Sequence, residues 1–227
     1  ILNQVEASRG DLDGVNLAHL LAGSEGTLAV TLGAQLKLHP RPRLKGLALL
    51  SFSDLDPAIE ATVPILTTGP SAVELLDDTV IDLARANIEY RKYVELMPQP
   101  NSGVLRAILY VEYYGNSSEE LNAKFESLRR LFPAVAMKEV VDAASMASAW
   151  KLRKAGEPLL HGVAGARKPI TFIEDNAVPV EHLVEFVRRL REIVTKHGTR
   201  AAYWAHASVG VLHVRPLIDI HDEADRQ

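Results

Sequence analysis

The sequence predicts an α+β fold, an antiparallel or mixed sheet with helices packed on one face. Three observations carry that expectation. Residues 104–114, VLRAILYVEYY, are rich in β-branched and aromatic side chains, as strands are. Residues 179–198, PVEHLVEFVRRLREIVTKHG, place Leu183, Val184, Val187, Leu190, Ile193 and Val194 on one helical stripe. Segments of the two kinds alternate along the chain, some joined by short turns.

The elements follow in order. NLAHLLA reads as a short helix stopped by Gly23. From Thr27 to His39 the period changes to two, with Leu28, Val30, Leu32, Leu36 and Leu38 on one face, which predicts a half-buried strand closed by Pro40 and Pro42. A domain boundary is expected near residues 40–45. LKGLALLSF is a strand, and DLDPAIEATVPILTTG a helix with Pro57 in its first turn. SAVELLD is extended, and DTVIDLARANIEYRKY a helix with an acidic cap. After the strand at 104–114, SSEELNAKFESLRRLF is a helix running to Pro133. AMKEVVDA is read as a strand, SMASAWKLRKAGEPLLHG as a helix, PITFIED as a short strand, and AAYWAHASVGVLHVRPLIDI returns to strand character.

Composition narrows the function. The chain has 227 residues, 47% of them hydrophobic and 24% charged, enough for a sizeable core. A net charge of −4 argues against nucleic acid as a partner, since phosphate binding needs a basic face. No apolar run is long enough to span a bilayer, and the chain opens without a signal-peptide pattern. Cysteine is absent, which removes disulfides, thiolate nucleophiles and iron–sulfur ligation within this chain. Any metal must therefore sit on His, Asp or Glu. The absence of an initiator Met suggests a piece of something longer.

His206 and His213 stand out in WAHASVGVLHVRPL. On a continuous strand, residues seven apart face opposite ways, and on a helix they lie about 10 Å apart. Sharing one ion therefore requires a bend, and Ala207, Ser208 and Gly210 suit one. Arg215, two residues beyond His213, would then reach an anion bound nearby. The other reading, two hydrogen-bonded core or rim histidines, remains open on spacing alone. His19, His39, His161, His182, His197 and His221 read as structural or solvated. Glu174 and Asp175 are candidates either for carboxylates behind a histidine or for a cap before Pro179.

Two separated stretches resemble the FAD-linked oxidases of the vanillyl-alcohol oxidase superfamily. LAGSEGTLAVTLGAQLKLHPRP resembles the end of their flavin-binding domain, and FIEDNAVPVEHLVEFVRRLREIVTKHG with YWAHASVGVLHVRPLID resembles their C-terminal substrate domain. ELLDD and AWKLRKAGEP fall in the expected order between them. The resemblance implies residues 1–42 as the tail of an FAD-binding domain, with Gly23, Ser24, Glu25, Gly26 and Thr27 against the flavin. It implies residues 43–227 as a ferredoxin-like substrate domain, incomplete at its C-terminus. It places a divalent metal, zinc or another, on His206 and His213, and gives Arg153, with Lys168 assisting, to a substrate carboxylate; Arg215, at a position where relatives vary, is a further candidate for that carboxylate, and no catalytic base is assigned. Ala205, Ser208, Val209 and Val211 depart from the family's usual Gly, Gly, Asp and Asn. This variant resembles members fused to an iron–sulfur module. The Gly-rich FAD loop and the Glu-His segment that completes the metal site are missing.

The implied function is oxidation of a D-2-hydroxy acid (lactate-, glycolate- or 2-hydroxyglutarate-like) by hydride transfer to FAD, performed by a longer cytoplasmic parent or one peripheral to the inner face of the membrane. Its expected partners are a small carboxylate substrate and an electron acceptor or iron–sulfur module, with self-association left open. The alternative is a non-catalytic module of the same fold that binds an anion or a partner. A His–carboxylate metal hydrolase ranks last, since no H-E-x-x-H motif occurs.

Overall fold

The computed structural model describes residues 17–227, apart from the side chain of His19. Residues 1–16 of the expected 1–42 segment lie outside it. The chain divides into two units that part between Arg41 and Pro42.

In the first unit, α1 (Leu17–Ala22) ends in a turn where the Ser24 Oγ donates to Leu21 O and the Thr27 N–H to Ser24 O. The strand expected over residues 27–39 does not form. No described segment pairs with it, and its apolar row from Leu28 to Leu38 is 60–95% exposed. Alternation marks a face suited to burial, but a strand exists only through ladder bonds to a neighbour.

In the second unit, eight strands form one antiparallel system. They are β1 (Leu44–Phe52), β2 (Ala72–Leu76), β3 (Ala107–Gly115), β4 (Ala136–Val140), β5 (Lys168–Pro169), β6 (Ile173–Ala177), β7 (Ala201–His206) and β8 (Val211–Ile218). Their order is β4-β1-β3-β2-β7-β8-β5, with β6 also on β8. Helix α2 (Leu55–Leu66) joins β1 to β2, and α5 (Ser118–Leu131) joins β3 to β4; with β4-β1-β3-β2 this is the split βαβ arrangement of ferredoxin-like folds. The β7–β8 hairpin widens the sheet beyond β2.

Helices cover both faces of the sheet, not the single face expected. Ala48, Leu50 and Phe52 of β1 pack with α2, α5 and α8 (Leu183–Lys196). Leu47 and Leu49 point the other way, to α3 (Asp78–Ala86), α4 (Arg91–Val94), α6 (Ala143–Lys154) and α7 (Gly156–His161). Near-continuous apolar runs such as LALLSF are the mark of a strand buried on both sides. The helix expected over 78–93 is interrupted after Ala86 by extended backbone at Asn87, and the one over 145–162 divides at Ala155. Local chemistry sets the starts: Ser117 Oγ accepts from the Glu120 N–H while Glu120 Oε2 accepts from Asn116 N–H, a near capping box for α5.

Candidate functional site

The segment 201–220 is a hairpin, not a continuous strand. A 3₁₀ turn at Ala207–Val209 and Gly210 at φ 68° reverse the chain, so Trp204 pairs with His213 and His206 with Val211. Opposed residues of an antiparallel pair share a face, which makes His206 and His213 diagonal neighbours on it. Their ring centroids are 5.2 Å apart, edge to face. Glycine is required at the turn, because a Cβ on Gly210 would lie 1.8 Å from Val178 O. Trp204 stacks on His213 at 5.2 Å and carries the Arg215 guanidinium 4.9 Å from its ring centre.

Each imidazole is backed by carboxylate. Glu74 stands opposite His206 in the β2–β7 register and opposite Tyr110 in β2–β3. Both Glu74 oxygens lie 2.9 Å from His206 Nδ1, and its Oε2 accepts from Arg153 Nη2 at 2.7 Å. Glu74 and Arg153 side chains are only 13% and 11% exposed, so this pair is poorly screened by solvent. Tyr110, fully buried, has its hydroxyl pushed up by desolvation against the nearby Arg153 charge, so it stays neutral. On the other side, β6 shifts register against β8 between Ile173 and Asn176. This bulge, with Asp175 at φ 56°, sets Glu174 and Asp175 together on His213 Nδ1, at 3.3 and 3.0 Å.

Arg215 is 6% exposed in its side chain and bonds both Glu174 and, at 3.0 Å, Glu157. Burial pulls its pKa down, but the two glutamates outweigh burial and raise it. Lys168 lies apart from the histidines: it pairs with Ile218 at the far end of β8, and its Nζ donates to Val163 O at 2.6 Å. Gly23, Ser24, Glu25, Gly26 and Thr27 belong to the first unit, where Glu25 and Gly26 both take positive φ. A cavity of about 540 Å³ opens at the other end of β7, lined by Arg106, Arg191, Arg200 and Tyr203; it includes none of the residues around the histidines.

The cluster thus joins His206, His213, Arg153 and Arg215, and adds Glu74, Glu157 and Trp204, which sequence reasoning did not single out. For Glu74 a signal existed: an acidic residue between Val73 and Leu75 on an apolar strand. Glu157 lies in the AWKLRKAGEP stretch, but nothing there marked it as part of a site. Four carboxylates face two guanidiniums, an imbalance suited to a cation. Two imidazoles sharing a zinc about 2.0–2.1 Å from each nitrogen have centroids no more than roughly 6 Å apart, which the pair satisfies. A carboxylate on each Nδ1 is the usual support for such a ligand. Glu174, Asp175 and His213 also offer ligand atoms within 4.8 Å of one another.

Residues 41–227 match the family model described as FAD linked oxidases, C-terminal domain. D-2-hydroxyglutarate dehydrogenase of Haemophilus influenzae is 29% identical over 217 residues, covering 92% of this chain and 21% of that protein. Glycolate oxidase subunit GlcD of Bacillus subtilis is 29% identical over 222 residues, covering 95% and 44%. In fold, the chain is similar to the solved structure of alkyldihydroxyacetonephosphate synthase, with TM-score 0.59, 15% identity and coverage of 92% and 44%. The chain spans about a fifth of the length of the first of these relatives. With the match extending over the whole of the second unit, the chain belongs to the FAD-linked oxidase C-terminal domain family.

Proposed function

We propose that this chain is part of an FAD-dependent oxidoreductase that oxidises a D-2-hydroxy acid, and that the cluster around His206 and His213 is its substrate and metal site. The observation that carries the reading is the convergence, on one sheet face, of two carboxylate-backed imidazoles and two arginines. Relatives that act on 2-hydroxyglutarate and glycolate support the substrate class. When bound, FAD supplies the hydride acceptor and a divalent ion supplies Lewis acidity toward the substrate hydroxyl.

The chain's own residues then have distinct tasks. Nδ1 of His206 and of His213 faces carboxylate, which leaves Nε2 of each as the lone-pair nitrogen for the ion. Arg153 holds one end of the substrate: its buried Nε has no protein partner and is a spare donor for a carboxylate. Arg215, tied to Glu174 and Glu157, orients those carboxylates and the Trp204 ring beneath it more than it binds substrate. Lys168, at the far end of β8 with its Nζ on Val163 O, takes no part in this cluster. Residues 1–42, with the Gly23–Thr27 turn, serve as the tail of the flavin domain, and the exposed row from Leu28 to Leu38 is the face such a tail would bury. An iron–sulfur cluster would have to be held outside this chain, which lacks cysteine. The cysteine-free composition also fits a reducing compartment, and no described helix is long and apolar enough to cross a membrane. The excess of carboxylates speaks against a bare anion-binding module.

Zinc titration of this chain against a chromophoric chelator tests the site. One equivalent binds, and His206→Ala or His213→Ala weakens binding at least tenfold. Equal affinity in the wild type and both variants removes the histidines from the site. In the full-length flavoprotein, Arg153→Ala raises KM for a 2-hydroxy acid more than it lowers kcat; unchanged KM removes Arg153.

A further inference from the structure

We infer that Glu74 is the positioning residue of this site: one carboxylate that fixes the tautomer of His206 and the placement of Arg153 together. The inference rests on the site reading above and gives a role to Glu74, which lies in the ELLDD stretch but received none from the resemblance.

The geometry is specific. Glu74 sits on β2, between Tyr110 and His206 in two adjoining registers, so the sheet itself aims its side chain. Val73 and Leu75, its neighbours in sequence, face the opposite core, so Glu74 points to the site face by strand alternation. With 13% of its side chain exposed, the carboxylate has little water to satisfy it. Its partners are Arg153 Nη2 at 2.7 Å and His206 Nδ1 at 2.9 Å. A carboxylate held by a guanidinium is ionised and can only accept, so His206 must donate from Nδ1. The neutral ring then carries its lone pair on Nε2. An isolated imidazole has no such constraint, so the tautomer is set by Glu74.

The same oxygen, Oε2, serves Arg153, which arrives from α6 across 79 residues of sequence. Replacing the carboxylate therefore releases two groups at once: the ring loses the acceptor that fixes its proton, and the guanidinium loses its ion-pair partner. His213 is held independently, by Glu174 and Asp175, and provides an internal control.

The experiment is side-chain ¹⁵N NMR of this chain at a fixed pH of about 8, above the ordinary histidine range, paired with zinc titration. Expected for the wild type is a His206 ring protonated at Nδ1. In Glu74→Ala the His206 signals move to the Nε2-protonated form or a mixture while the His213 tautomer stays, and the zinc dissociation constant rises about 10- to 100-fold. Glu74→Gln, which keeps an acceptor oxygen and the side-chain volume, recovers part of both; it also reads out the role if the alanine variant fails to fold. A His206 tautomer identical in wild type, alanine and glutamine variants overturns the inference. Wild-type protein that shows the Nδ1 proton and its loss in Glu74→Ala but binds no zinc upholds Glu74 as a positioning residue and overturns the metal reading instead.

Discussion

Asp77 shows how one side chain holds the register on which the site depends. It is buried at the end of β2, where its N–H donates to Tyr203 O and its Oδ2 accepts from the Tyr203 N–H at 2.7 Å. Oδ1 accepts from the Val80 N–H, capping α3. Desolvation pushes its pKa up from 3.8 to about 7, overriding the two backbone hydrogen bonds that favour the anion. Between those values the folded state binds a proton that the unfolded state has released, so stability falls as pH rises through this window and is flat above about 7. Asp77→Ala is expected to cost about 2–4 kcal/mol, from a lost cap and an unpaired buried N–H. Because only the wild type loses stability across the window, urea unfolding should show a larger gap between the two at pH 5 than at pH 8. A gap that widens with pH would contradict the assignment.

At the level of elements, the β7–β8 hairpin and the β6 bulge decide what the histidines meet. The hairpin works only with glycine at 210, where φ is 68° and the Val178 carbonyl occupies the space of a Cβ. The N–H of Val178 also donates to Gly210 O at 2.8 Å, tying the turn to the segment after β6. Gly210→Ala should destabilise by more than the roughly 1–3 kcal/mol of left-handed strain alone, since backbone must also move. Urea unfolding measures the loss, and zinc titration should show weaker binding because the two rings no longer share a face. Unchanged stability would mean that the turn relaxes without moving Val178. The bulge, with Asp175 in the left-handed region at φ 56°, places two acids where a regular strand would place one.

At the scale of the molecule, every buried core side chain among the described residues belongs to the second unit. The two cores flank one sheet, one with α2, α5 and α8, the other with α3, α4, α6 and α7. Deleting residues 1–41 is therefore expected to leave the thermal midpoint of the remainder within a few degrees of that of the full chain. A fall of 10 °C or more would show that the core needs the first unit.

Much of this molecule was legible in its residues. The strands at 44–52 and 104–114 and the amphipathic helix ending at Lys196 follow from local periodicity, because burial of one face or both leaves its pattern in the chain. A bend between His206 and His213 was readable as an option, since small residues and Gly210 allow one, but spacing alone did not decide it. Residues 27–39 were misread as a strand because alternation states a preference for burial and cannot supply a partner. The second helical layer was missed because period alone does not say which neighbour covers a face. The sequence by itself determined the family, the class of fold and the pair of imidazoles. Only the tertiary structure decided that Glu74, Glu157, Glu174 and Asp175 surround them, because strand register, a bulge and a helix crossing bring those groups together from positions as far as 132 residues apart.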